Sequence, residues 1–139
     1  TRDDVMSRIY VLASGKELPL CDHQEFRSSE SEGYMITLLR GFRVVELEYY
    51  RQAVEELNCP MKPFRYEVDL EKDERDLANL RAYLEENFAQ GDSLELWSLW
   101  VGDVNVKCPP RFRGSLEDFD LEALEQFLTA KEICFNITI

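Results

Sequence analysis

Histidine is scarce in this sequence: His23 is the only one among 139 residues. Histidine is the commonest general base and metal ligand near neutral pH, so most catalytic triads and most zinc sites are excluded. The GxSxG, GxGxxG and HExxH motifs of hydrolases, dinucleotide-binding proteins and zinc proteases are also missing. We therefore predict no metal site, no cofactor and no catalytic residues.

Long apolar runs are missing as well. The longest, residues 9–13, is far shorter than the roughly 20 residues that a membrane-spanning helix needs. The sequence thus predicts neither a transmembrane segment nor a secretory signal, and no association with a membrane. Residues 1–5 precede Met6 and are set aside as either non-native or disordered.

The cysteines do not have the spacing of a disulfide framework. The chain has four, with no CxxC pair among them: Cys21, Cys59, Cys108 and Cys134. A small secreted domain that relies on disulfides usually has a denser set of cysteines. The pattern predicts four reduced thiols in a cytoplasmic protein.

Charge is dominated by one sign, with 28 Asp and Glu against 16 Lys and Arg and a net charge of −12. Most of the excess lies in residues 66–103, and a second acidic block follows residue 114. A field of this sign repels phosphate backbones and attracts cationic surfaces. Direct binding to nucleic acid is therefore not expected, whereas a basic protein is a plausible partner.

The hydrophobic pattern predicts both strands and helices. Alternating or β-rich segments predict six strands, at residues 8–13, 34–39, 42–47, 64–70, 94–101 and 133–139. Apolar residues at helical spacing predict three helices, at residues 47–57, 73–88 and 120–128. The Arg40-Gly41 pair is expected to close a hairpin between the second and third strands.

These elements predict one α+β domain spanning residues 1–139. Strict alternation in the strands at 64–70 and 133–139 favours a mixed or mainly antiparallel sheet of about six strands. About three helices should pack mostly on one face of it, giving a sandwich. A doubly wound α/β fold is the alternative. The polar segment 21–33 is predicted to be a flexible loop.

The predicted binding residues cluster around the last third of the sequence. Trp97 and Trp100 are three positions apart on a strand, so they should point to opposite faces. The segment that follows is basic and aromatic and is stiffened by Pro109-Pro110, so it is predicted to be a rigid loop that grips an anionic group. Core packing of the tryptophans and surface neutralisation by the loop are the simpler interpretations. The candidate binding residues are Trp97, Trp100, Asp103, Lys107, Arg111, Phe112 and Arg113.

Three hypotheses of function follow. The first is a non-catalytic protein-protein interaction module, inhibitor- or immunity-like, whose acidic half meets a basic partner. The second is a small enzyme or ligand-binding domain with a carboxylate, arginine and tryptophan cleft near the central strand, for which we weigh enzymatic activity as the less favoured case. The third is a homo-oligomer formed by edge-to-edge pairing of the last strand.

Overall fold

The computed structural model of the chain describes residues 7–101, 108–130 and 132–139. Asp103 and Lys107 of the predicted site lie outside these ranges, and so does the segment 1–5. The described chain folds as a mixed seven-stranded sheet, a two-stranded sheet and three helices. The prediction of a single α+β domain is confirmed.

The elements, in chain order, are β1 Ser7–Ser14, β2 Cys21–Asp22, β3 Glu25–Ser31, β4 Tyr34–Arg40, β5 Arg43–Glu46, α1 Arg51–Glu55, β6 Phe64–Asp69, α2 Glu74–Asn87, β7 Ser93–Val101, β8 Arg111–Ser115, α3 Leu121–Thr129 and β9 Ile133–Thr138. The large sheet has the order β2-β5-β6-β1-β7-β9-β8, and β3 pairs with β4. Every described pairing is antiparallel except that of β8 with β9. This topology excludes the doubly wound alternative.

The two faces of the large sheet bury separate apolar clusters. Alternate side chains of β1 and β7, such as Leu12 and Leu96, face the cluster that contains the buried residues of α2 and α3. Their neighbours Val11 and Trp97 face the cluster around α1. Both faces are thus covered at the centre of the sheet, which explains why β7 reads as an almost continuous apolar run.

The second and third helices begin and end close to their predicted limits. Asp73 and Asp120 cap α2 and α3, since each side chain accepts a hydrogen bond from the backbone N–H three residues later. The helix predicted at 47–57 shortens to α1, with the buried Leu47 preceding it. No helix within the described ranges is both long enough and apolar enough to cross a membrane.

Residues 21–33 are not a flexible loop, so that prediction is wrong. They form β2 and β3, and β3 pairs along its whole length with β4. The turn between β3 and β4 is Glu32-Gly33, and both residues have positive φ, 52° and 81°, which suits a two-residue hairpin. The expected hairpin at Arg40-Gly41 is also wrong: β4 leads directly into β5, and one ladder register continues through both strands. The polar composition of β3 suggested a loop because this strand is largely exposed on both faces and therefore has no apolar alternation.

The end of the chain also differs from expectation. The last strand, β9, lies between β7 and β8, so edge-to-edge pairing through it is wrong. The expected rigid loop after Pro110 is the strand β8, which runs parallel to β9 and forms the edge of the sheet. Its short, charged sequence is typical of an edge strand and gave no alternating apolar signal.

The prediction of four reduced thiols is wrong. Cys59 and Cys108 form a disulfide with their Cα atoms 5.5 Å apart, whereas Cys21 is half-buried and Cys134 is buried as a free thiol. The two bonded residues are 49 positions apart, and only the fold brings the segment after α1 next to the start of β8. Because disulfides persist mainly in oxidising compartments, the thiol argument for a cytoplasmic location no longer holds.

Candidate binding surfaces

Trp97 lies at the centre of a closed polar cluster on the α1 side of the sheet. The carboxylate of Glu95, two residues earlier on β7, accepts hydrogen bonds from Trp97 Nε1 at 3.2 Å and from the Lys62 backbone N–H at 2.9 Å. Arg111 reaches across from β8 to donate to the same carboxylate at 3.0 Å and to Pro60 O at 2.8 Å. Its guanidinium carbon also lies 5.0 Å from the centre of the Trp97 ring.

This cluster unites the three side-chain types that the sequence predicted for a cleft, but here they bond to one another. Trp97 is only 1% exposed and Glu95 is also buried. Cys134 packs in the same apolar cluster, and burial raises the pKa of its thiol to about 12. Each carboxylate oxygen is bonded within the protein, so the group acts as a structural ion pair with an aromatic support.

Trp100 points to the opposite face, as its spacing from Trp97 predicted. It is half-buried, and the Arg8 guanidinium carbon lies 5.0 Å from the centre of its ring. Arg8 also donates to the carbonyl oxygens of Leu128, at 2.6 Å, and of Ala130. These carbonyls belong to the C-terminal end of α3, where a cation is favourable. The indole ring of Trp100 is therefore covered by an arginine that caps a helix.

Phe112 and Arg113 remain at the surface on the edge strand β8. Phe112 is 44% exposed, and its ring centre lies 5.8 Å from that of Phe135 on β9. A narrow cleft of about 140 Å³ on the α2/α3 side of β8 is lined by Phe119 and Phe135 and passes the chain at Arg113. The predicted site is thus divided: Trp97 is buried and shares the Glu95 carboxylate with the partly exposed Arg111, while Phe112 and Arg113 lie at the surface.

No family model, no curated protein and no solved structure matches this chain. Its surfaces have to be judged by their own geometry. Two of them stand out: the outer side of the helices, for its charge, and the β3–β4 hairpin, for its exposed apolar side chains.

The outer side of α2 and α3, which we call the acidic face, collects carboxylates. The turn between β8 and α3 completes this surface, because Arg81 of α2 donates to the carbonyl oxygens of Glu117 and Phe119 in it. The exposed carboxylates of the acidic face are Glu74, Glu85, Glu86, Glu117, Asp118, Asp120, Glu122 and Glu125.

The basic residues described on this surface already have partners. Lys72 lies 3.3 Å from Glu125, and Arg75 pairs with Glu25 of β3. Arg81 is occupied by the two carbonyl groups of the turn. Within the described part of the chain, most carboxylates of the acidic face therefore have no basic side chain bonded to them.

Four arginines of the strands lie on the other face of the sheet. Arg43, Arg65, Arg111 and Arg113 are all placed by their strand register on the α1 side. Arg43 pairs with Asp69 at 2.6 Å, and Arg65 donates to two nearby carbonyl oxygens. The sheet therefore separates these arginines from the carboxylates of the acidic face.

The β3–β4 hairpin, which we call the arm, is the surface that sequence reasoning missed. Large apolar side chains on both of its faces are between 39% and 77% exposed: Phe26, Tyr34, Met35, Ile36, Leu38 and Leu39. The available signal is the uncharged run from residue 34 to residue 39, which predicts a strand but does not indicate that its side chains stay exposed. Its neighbour β3 is too polar to have been recognised as the pairing strand.

An ion-pair cluster anchors the base of the arm to the start of α2. Arg27 donates to Asp73 at 2.8 Å and to Asp76 at 3.0 Å, and Asp76 also accepts from the Glu71 backbone N–H at 2.6 Å. Asp76 is fully buried. Its hydrogen bond raises the pKa of Arg27 above the ordinary value. A second link, from Arg40 to Glu71, has its atoms 3.5 Å apart. The arm is therefore held in a fixed direction although its outer part touches little.

Proposed function

We propose that this protein is a non-catalytic protein-protein interaction module, inhibitor- or immunity-like, that binds a basic partner through its acidic face. The observation that carries the proposal is the concentration of exposed carboxylates on α2, α3 and the turn before α3, where the described basic side chains are already bonded. A surface of one sign speeds association with an oppositely charged protein and selects against others.

The closed state of the Trp97 cluster favours this function over a small enzyme or ligand-binding domain. The latter needs a pocket in which a tryptophan, an arginine and at least two carboxylates converge. Here Glu95, Trp97 and Arg111 satisfy one another. Glu67, another acidic residue near aromatics, has its pKa raised by burial and lies on β6 rather than beside Glu95.

The proposal is tested by neutralising one face at a time. The test variant replaces four exposed glutamates of the acidic face by glutamine, Glu74, Glu85, Glu86 and Glu122. The control variant makes the same change at four exposed glutamates around α1, Glu46, Glu48, Glu55 and Glu56. Both variants change the net charge equally, so only the position of the charge differs.

The immobilised protein is expected to capture a basic protein from a lysate at low salt and to release it as ionic strength rises, since exposed charges are screened within about 10 Å at 0.1 M. The acidic-face variant should lose most of this capture, and the α1 variant should keep it. Equal losses in both variants would show that only total charge matters. Capture that ignores salt, or no capture of a basic protein, would contradict the proposal.

A further inference from the structure

The arm exposes more apolar surface than a separate two-stranded sheet can stabilise. A lone hairpin is marginal in water, and a third strand or a covering layer is generally needed. Phe26, Met35 and Leu39 share one face by their register, and Tyr34, Ile36 and Leu38 share the other. With full side-chain areas of about 150–250 Å², each face exposes roughly 300–400 Å² of apolar surface. A patch of that size is often functional.

The free edge of β4 can accept another strand. The His23 N–H donates to Phe42 O, and the same register continues into β3 and β4. Because antiparallel pairs alternate between bonded and non-bonded types, Met35, Thr37 and Leu39 fall in the pairs whose backbone groups point away from β3. The described strands include none that pairs with β4 on that side.

We propose that this edge pairs with the same edge of a second copy of the chain, antiparallel and centred on Thr37. The pairing creates a four-stranded sheet in the order β3-β4-β4-β3. In this register Met35 lies opposite Leu39 of the second copy, and Ile36 lies opposite Leu38. Apolar side chains then become cross-strand neighbours on both faces of the new sheet.

The distribution of charge argues for a second copy as the occupant. Residues 34–39 carry no charged side chain, while Glu25 and Glu30 belong to β3 and would lie on the far side of the new sheet. Two chains that each carry a net charge of −12 meet with least repulsion at such a neutral edge. A basic partner would gain no ion pair there, and an anionic membrane would be repelled by the whole chain.

Salt distinguishes this pairing from the binding of a basic partner. Screening reduces the repulsion between two acidic copies, so self-association through the arm should strengthen as ionic strength rises. Binding at the acidic face should weaken under the same change. The two proposals can therefore fail independently.

Sedimentation of the purified chain over a range of concentrations tests the proposal. At roughly 0.1 mM and moderate salt, an interface of this kind should give a species of twice the 16.3 kDa chain mass. Ile36→Lys places a charge at the centre of the interface and should raise the dimer dissociation constant by at least about tenfold. Tyr49→Lys adds the same charge at a side chain that is 87% exposed near α1, and it should leave the dimer unchanged.

A second variant tests the edge itself. Thr37→Pro removes a backbone N–H that points away from β3, so it should prevent dimerisation without breaking the β3–β4 ladder. Near-ultraviolet circular dichroism of the monomer would verify that the fold persists. A wild-type chain that stays monomeric at the highest concentration and salt would overturn the proposal. So would a dimer that both Ile36→Lys and Thr37→Pro leave intact while the fold is preserved.

Discussion

The Trp97 cluster and the arm both contain aromatic side chains on β-strands, but those of the cluster are buried and those of the arm are exposed. Trp97 is 1% exposed, whereas Phe26 is 77% exposed. The cluster lies where strands β7 and β9 are paired on both sides and a disulfide links the adjoining segments. The arm extends past the end of the large sheet, and among the described strands β3 and β4 pair only with each other there. Aromatic content alone therefore does not locate a binding surface, because strand neighbours decide which aromatic side chains stay exposed.

The largest effect in this comparison is expected from removing the Cys59–Cys108 disulfide, which joins the segments beside the Trp97 cluster. Replacing both Cys59 and Cys108 by serine should lower the free energy of unfolding by about 4 kcal/mol, the scale for a loop of this length. Urea unfolding measures the loss. Alkylation of the unfolded chain should label two thiols before reduction and four after it, since Cys21 and Cys134 are free. Four labelled thiols without reduction would contradict the disulfide.

Removing the acid at the centre of the cluster should have the next largest effect. Glu95→Ala leaves the Arg111 guanidinium, the Trp97 indole N–H and the Lys62 backbone N–H without their common acceptor. We expect a loss of about 3 kcal/mol in the free energy of unfolding. This is the lower end of the range for a broken buried pair, because the Arg111 side chain is 30% exposed and can reach water.

The matched control for Glu95→Ala is Glu85→Ala, which removes an exposed carboxylate from α2. It should change the free energy of unfolding by less than about 0.5 kcal/mol. Equal effects of the two substitutions would mean that the Glu95 carboxylate is solvated rather than bonded.

A smaller effect, confined to the arm, is expected from Asp76→Asn. Asparagine keeps the shape, but its single oxygen can accept from only one of the two donors, the Glu71 N–H or Arg27, and the negative charge is lost. The free energy of unfolding should fall by about 2 kcal/mol, the scale for a hydrogen bond to a charged group. Hydrogen exchange should speed up at β3 and β4 more than at β1 and β7. Uniform acceleration across the sheet would show that Asp76 supports the whole fold instead.

Much of the fold followed from the sequence because periodicity reports burial directly. The alternation of Tyr66 and Val68 on β6 and the leucine stripe of α2 each face one apolar cluster, and both were predicted. The strands β3 and β8 were missed because neither has a buried face, so their side chains carry no period. β3 forms a strand because the Glu32-Gly33 turn brings it beside β4, and its polar composition gives no sign of this pairing.

For the candidate site, the sequence could suggest the types of side chain but not the contacts between them. The less favoured hypothesis of a cleft required a tryptophan, an arginine of the 111–113 segment and carboxylates to converge, and the structure brings Trp97, Arg111 and one carboxylate, Glu95, together. The sequence could not indicate that these groups bond to one another, because this depends on how closely β7, β8 and the segment before β6 approach in the folded chain. The disulfide was hidden for the same reason: residues 59 and 108 become neighbours only in the folded chain.

The smallest effect is expected at Phe26, the most exposed apolar side chain of the arm. It also discriminates best between the two possible roles of the arm. Phe26→Ser removes a large aromatic side chain that is already mostly in water, so the monomer should lose less than about 0.5 kcal/mol in the free energy of unfolding. Truncating a buried aromatic such as Phe127, which is 1% exposed, should cost about 3–5 kcal/mol by the same measurement. If Phe26→Ser is costly in dilute solution, the arm packs on its own chain. If it is costly only at concentrations where the wild-type chain dimerises, the apolar surface of the arm contributes through a second copy.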